Sequence, residues 1–169
     1  MLKTLYFQRK YKENHNFPLV IETFLLYPQR IYRKYCFTIE RVCLQHVPQI
    51  KAALGIAGVQ TNVCSWFSRG TEERRGAQID LVMQRADGFT DLCEMKHSTN
   101  VFTIDRDYAT NLQNKIEAYQ ELSKDKRTLH LIMVTTNGVA HNNNYNMIQN
   151  EVTMDDLFKI WIIYQNYVK

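Results

Sequence analysis

The sequence predicts an α/β domain, a mixed central sheet flanked by helices, and three observations carry that prediction. Residues 38–54 repeat apolar side chains at helical spacing. Residues 77–84 and 89–98 form two strand-like stretches joined by "RADG", a sequence with hairpin-turn chemistry. "LHLIMVTT", at 129–136, is a nearly continuous apolar run of strand length that comes after a long helical stretch.

Each element has its own justification. Residues 1–35 carry "LVIETFLLY", which satisfies either a helix or a strand, and Pro28 interrupts the chain just beyond it, so this segment stays unassigned. From Thr38, a residue suited to capping, Ile39, Val42, Cys43, His46, Ile50 and Leu54 trace one helical stripe. Pro48 should bend this helix or mark a restart, and Gly55 and Gly58 end it. "VQTNVCSW" then reads as a strand and "FSRGTEERRG" as a loop before the hairpin. The next helix is expected over about 104–123, with Tyr108, Leu112, Ile116 and Tyr119 on one stripe and Asn111, Asn114 and Lys115 on a neighbouring face. After the apolar strand, "NGVAHNNNYN" makes a polar loop. "TMDDLFKIWIIY" reads as a terminal helix, with Thr153 and Asp156 in a capping-box arrangement.

Composition sets the bounds. With 169 residues and 45% hydrophobic content, one domain with a sizeable core is expected. No run of about 18 apolar residues is present, so no membrane-spanning helix is expected. "MLKTLYFQRKYK" lacks the apolar core and cleavage site of a secretory signal, which makes the cytoplasm the expected location. Cys36, Cys43, Cys64 and Cys93 show no CxxC pairing and read as buried reduced thiols; Cys36, Cys43 and His46 are read as core residues, not metal ligands. The net charge of +4 is uneven: residues 1–35 hold +5 and residues 36–169 hold −1. A body near zero charge is not the footprint of a strong autonomous nucleic-acid binder, so any nucleic acid would be held locally or with another domain's help.

The stretch "GAQIDLVMQRADGFTDLCEMKHS" sets the chemical question, because charges at the ends of buried strands are costly unless paired or bound to metal. Strand alternation puts Gln78, Asp80 and Val82 on one face, and Glu94 with Lys96 on a face of the next strand. Two answers stay open on residue types alone. Asp80 and Glu94 could hold Mg²⁺ or Mn²⁺, with the backbone carbonyl of Met95 and the helix-borne Glu40 as further ligands and Lys96 orienting water or stabilising charge. Alternatively, Lys96 neutralises Asp80 or Glu94 in a structural salt-bridge cluster. Arg69, Arg74, Arg75 and Arg85 could meet phosphates, as could Asn111 and Lys115, but a solvated loop is the favoured reading for the arginines and a solvent-facing one for Asn111 and Lys115. His130 reads as a core or edge histidine, and the Tyr and Phe content as core packing.

With "Q-I-D" and then "C-E-M-K" after a helix carrying Glu40, the chain resembles the PD-(D/E)XK nuclease superfamily. More closely, "FTIERVCLQHVPQIKAALGIAGVQTNVCSW", the hairpin stretch and "NEVTMDDLF" resemble the C-terminal nuclease-like domain of bacterial AAA-type ATPases of the archaeal-ATPase-like group. The resemblance implies a restriction-endonuclease-like core in the order α-β-β-β-α-β over 36–169. It implies a nuclease acting on DNA in preference to RNA, with Asp80, Glu94, Lys96 and Glu40 as catalytic residues and Gln78 beside them. It also implies an ATPase domain or protein as partner, with residues 1–35 a remnant of the missing region. Ile79 stands where the motif's name has proline. No GxxxxGK[ST] loop occurs, so ATP binding by that route is not expected. The other reading the resemblance allows is a non-catalytic interaction module that keeps the nuclease fold.

Overall fold

The computed structural model describes residues 32–70 and 75–159. Helix α1 (Tyr32–Gln45) runs through a stretch without Gly or Pro, so it begins upstream of Thr38, which lies inside the helix and does not cap it. The expected domain boundary after residue 35 therefore falls within α1, and the rest of the unassigned segment lies outside the described residues. Pro48 marks a restart: α1 ends at Gln45, His46 leaves helical geometry, and α2 (Val47–Ala53) holds Pro48 in its first turn, where its missing N–H has no helical partner to lose.

The sheet has the order β1 (Thr61–Ser68), β2 (Ala77–Arg85), β3 (Phe89–Lys96), β4 (Thr128–Thr135), β5 (Asn150–Thr153). The pairs β1·β2 and β2·β3 are antiparallel, whereas β3·β4 and β4·β5 are parallel, so the sheet is mixed as expected. Gly88, at φ +92, closes the β2–β3 turn in a backbone region that L side chains rarely adopt. Helix α3 (Arg106–Leu122) makes the crossover, started by Asp105, whose side chain accepts from the Tyr108 N–H at 2.8 Å. Strand β5 is absent from the elements expected on sequence. It leads into helical residues 154–159, where Asp156 accepts from the N–H of Thr153, which is one half of the expected capping box, while the Thr153 hydroxyl donates to the same carboxylate oxygen and does not accept from the Asp156 N–H. The remainder of the expected terminal helix lies outside the described residues.

Helices cover both faces. Ile39, Val42 and Cys43 of α1 pack with Leu81, Cys93 and Met95 on one side. On the other, Leu112 of α3 packs with Leu131 and Met133, and Tyr119 with Ile79, Val82 and Leu92. Cys64 departs from its expected burial: it is exposed, because β1 is an edge strand. No helix among the described residues is long and apolar enough to cross a membrane.

At the start of β3 and β4, buried Thr90 donates to Asp125 at 2.7 Å, Tyr119 donates at 3.1 Å, and the Arg127 N–H reaches the other oxygen at 3.0 Å. Burial pushes the Asp125 carboxyl up, but these hydrogen bonds outweigh it and hold it below its ordinary value of 3.8. Asp125→Ala should cost about 1–3 kcal/mol in denaturant unfolding. The folded-state pKa is depressed, so the wild-type advantage should be full above 3.8 and fade as pH falls through the lower folded value.

Candidate active site

Two backbone features bring the charged residues of the hairpin together. The first is a β-bulge in β2. Cys64 lies opposite Val82 and Trp66 opposite Ile79, so β2 takes an extra residue at Asp80 and Leu81 where β1 has only Ser65. Ile79 and Val82 consequently pack in one cluster on the α3 side while Leu81 packs on the α1 side. This corrects the expected alternation: Asp80 does not share a face with Val82 in a regular strand. The second feature is the end of the β2–β3 ladder at Leu81 and Cys93. Beyond that pair, the Met95 N–H donates to Asp80 Oδ2 at 3.1 Å. Met95 thus meets Asp80 through its amide, whereas its carbonyl is the group expected to serve a metal.

Glu94 is only 3% exposed and points from β3 toward α3. Tyr108 and Lys115 stand two helical turns apart, which sets them on one face of α3. The Tyr108 hydroxyl donates to Glu94 Oε1 at 3.0 Å, and Lys115 Nζ lies 2.8 and 2.7 Å from Oε1 and Oε2. Lys96 Nζ is farther away, 3.5 Å from Oε1, and lies 5.1 Å from the centre of the Tyr108 ring. Its side chain is 35% exposed, against 19% for Lys115.

Electrostatics ties the helix-borne acid to this group. The Glu40 carboxyl is raised by burial and then by the charges of Asp80 and Glu94, against the opposing pull of Lys96 and Lys115. Asp80 is likewise raised, by burial and by Glu94, with the Met95 N–H and both lysines acting in the other direction. Burial together with Asp80 and Glu40 pushes the neighbouring Cys43 thiol up to about 12. The Tyr108 phenol is raised by burial and by Glu94, so it remains a hydrogen-bond donor. Three carboxylates share two ammonium groups, and the surplus is negative.

Of the residues expected at the site, Lys96 lies 3.5 Å from Glu94 and Asp80 takes the Met95 N–H one residue beyond Glu94, whereas Glu40 is tied to them only through the effect of their charges on its carboxyl. Gln78 is exposed, and none of the described hydrogen bonds joins it to the carboxylates. Asn111, Arg69 and Arg75 are exposed as well, while Arg74 lies outside the described residues. Arg85 is committed elsewhere, to Asp87 and to buried Asp91, which also has His130 Nδ1 at 3.4 Å. His46 engages the Val42 carbonyl and the Phe158 ring, in keeping with a packing role. Tyr108 escapes sequence reasoning because a tyrosine on an apolar stripe reads as core. The detectable signal is Lys115, which is expected on the neighbouring polar face but, seven residues after Tyr108 and three after Leu112, shares theirs, where a cation calls for a buried anion.

The donor chemistry fits a hard divalent cation in one respect and resists it in another. Mg²⁺ takes oxygen ligands and needs only one or two protein carboxylates; burial raises Asp80 and Glu40 first and repulsion from neighbouring carboxylates second, and a cation would relieve the second. Glu94, however, already has both oxygens on Lys115. Among the described residues, no group of three or more His, Cys, Asp or Glu is arranged to hold a metal ion.

Fold and cluster together define an α/β protein with a mixed five-stranded sheet and a carboxylate–lysine cluster where its central strands part. Compared with protein-family models, with curated proteins and with solved structures, the chain matches none.

Proposed function

We propose that the protein is a metal-dependent nuclease that hydrolyses phosphodiester bonds, with DNA as its substrate. The observation that carries this reading is the division of labour between two lysines on one glutamate. Lys115 supplies the short, two-oxygen contact that buried Glu94 needs, so Lys96 is not required as its structural partner. A partly exposed ammonium whose charge acts on Glu40 and Asp80 adds little to folding and has a clear chemical use: it can orient a water or stabilise charge on a phosphate in transition. Asp80 and Glu94 are the two carboxylates that would hold Mg²⁺ or Mn²⁺, with Glu40 reaching the ion through water. Bound there, the ion would polarise the phosphate and lower the pKa of the attacking water. The resemblance of the hairpin to the PD-(D/E)XK motif supports the same roles.

The test is cleavage of plasmid DNA and of single-stranded RNA with Mg²⁺ or Mn²⁺, by the wild type and by Asp80→Ala. The expected result is metal-dependent DNA cleavage that falls at least about 100-fold in the variant. Absence of cleavage by the wild type, or equal cleavage by Asp80→Ala, would sink the proposal.

A second reading is favoured by the bidentate Lys115–Glu94 pair itself. In it, the cluster is a structural ion-pair network and the domain is an interaction module, the partner of an ATPase system. The two readings part on Mn²⁺ binding, since a ligand of the native state raises its melting temperature. The nuclease reading requires a saturable rise that Asp80→Ala abolishes, and the module reading requires a flat response in both.

A further inference from the structure

Lys115 is an unusual choice for its position, and the metal reading gives it a purpose. It interrupts the apolar stripe of α3 between Leu112, which is fully buried, and Ile116. From there its ammonium spans both oxygens of Glu94, at 2.8 and 2.7 Å, the place a cation bound to that carboxylate would take. Its charge also acts on Asp80 and on Glu40. The side chain is 19% exposed, so a flexible stem gives the ammonium a route to water. Tyr108 would stay on Glu94 Oε1 when Lys115 leaves.

We infer that Lys115 is a built-in occupant of the cation position, and that Mg²⁺ or Mn²⁺ can engage Glu94 only by displacing it. Lys115 is then a positioning residue that sets metal affinity: it holds Glu94 in place without metal and competes with metal for the same oxygens. This rests on the nuclease reading, whose metal site it describes in more detail. Removing the ammonium takes away both a competitor and a repelling positive charge. Replacing it with arginine keeps both.

The experiment is calorimetric titration of the full chain with Mn²⁺, comparing the wild type, Lys115→Gln, Lys115→Arg and Asp80→Ala. Lys115→Gln is expected to bind Mn²⁺ roughly tenfold more tightly than the wild type. Lys115→Arg should bind no more tightly than the wild type, and Asp80→Ala should show no saturable binding. A merely structural Lys115 would lower thermal stability without tightening metal binding. If the wild type binds Mn²⁺ through Asp80 while Lys115→Gln binds equally or more weakly, the displacement falls and the metal site stands. If neither the wild type nor Lys115→Gln binds, the metal reading falls and takes the displacement with it. Should Lys115→Gln be unfolded without metal, circular dichroism decides: refolding on addition of Mn²⁺ supports displacement, and a chain that stays unfolded overturns it.

Discussion

Glu94→Ala is expected to destabilise the protein by about 3–5 kcal/mol, the largest stability effect of any single change at the cluster. Glu94 is 3% exposed, and its two oxygens accept from Lys115 and Tyr108 at 2.7 to 3.0 Å. The alanine variant leaves a largely buried ammonium and a half-buried phenol without their acceptor, and it opens a gap between β3 and α3. Glu94→Gln keeps the shape and one acceptor oxygen, so it should recover part of the loss. Urea unfolding with an unchanged slope would make the midpoint shift a direct readout of stability. A loss under about 1 kcal/mol in the alanine variant would mean that Lys115 reaches water at almost no cost, and that the pair does not hold α3 against the sheet. On the proposed function, the same variant should also lose DNA cleavage. Comparison with Glu94→Gln then separates loss of structure from loss of a ligand, because the glutamine variant retains most of the packing.

Much of this cluster is legible in the sequence because period and turn chemistry are strong signals over short distances. "RADG" sets the hairpin register closely enough to bring Asp80 near Glu94, and the apolar stripe of α1 places Glu40 at an inward-facing edge. The hidden parts have physical causes. The bulge at Asp80 and Leu81 carries no glycine or other local marker; it is created by pairing with β1, so strict alternation misassigns Asp80 and Val82 to one face. Strand β5 is four residues long with only Val152 buried, too little for a periodic pattern. Thr38 has the chemistry of a cap and so suggests too late a start for α1, although nothing upstream in 32–37 breaks a helix. Tyr108 is hidden by its own dual character: its ring packs against Phe102 while its hydroxyl serves Glu94.

On the proposed function, Lys96→Ala is expected to share the loss of cleavage with Glu94→Ala but not the loss of stability: cleavage falls by about 10²–10³-fold with a change in stability of no more than about 1 kcal/mol. The ammonium lies 3.5 Å from Glu94 with a side chain 35% exposed, so water screens the pair and little folding energy depends on it. Lys115 remains on both oxygens of Glu94 in the variant, and the buried carboxylate stays neutralised. The ring of Tyr108 loses a cation 5.1 Å from its centre, a contact worth a fraction of a kcal/mol to about 1 at a partly exposed site. The measurement pairs urea unfolding with single-turnover cleavage of DNA at saturating Mn²⁺, so that metal binding and chemistry are read separately. Stability retained together with cleavage lost would assign Lys96 to the reaction. Cleavage retained would remove it from the mechanism and leave Asp80 and Glu40 as the groups to test. A stability loss comparable to that of Glu94→Ala would reverse the division of labour, making Lys96 the structural partner and Lys115 the lysine available for chemistry.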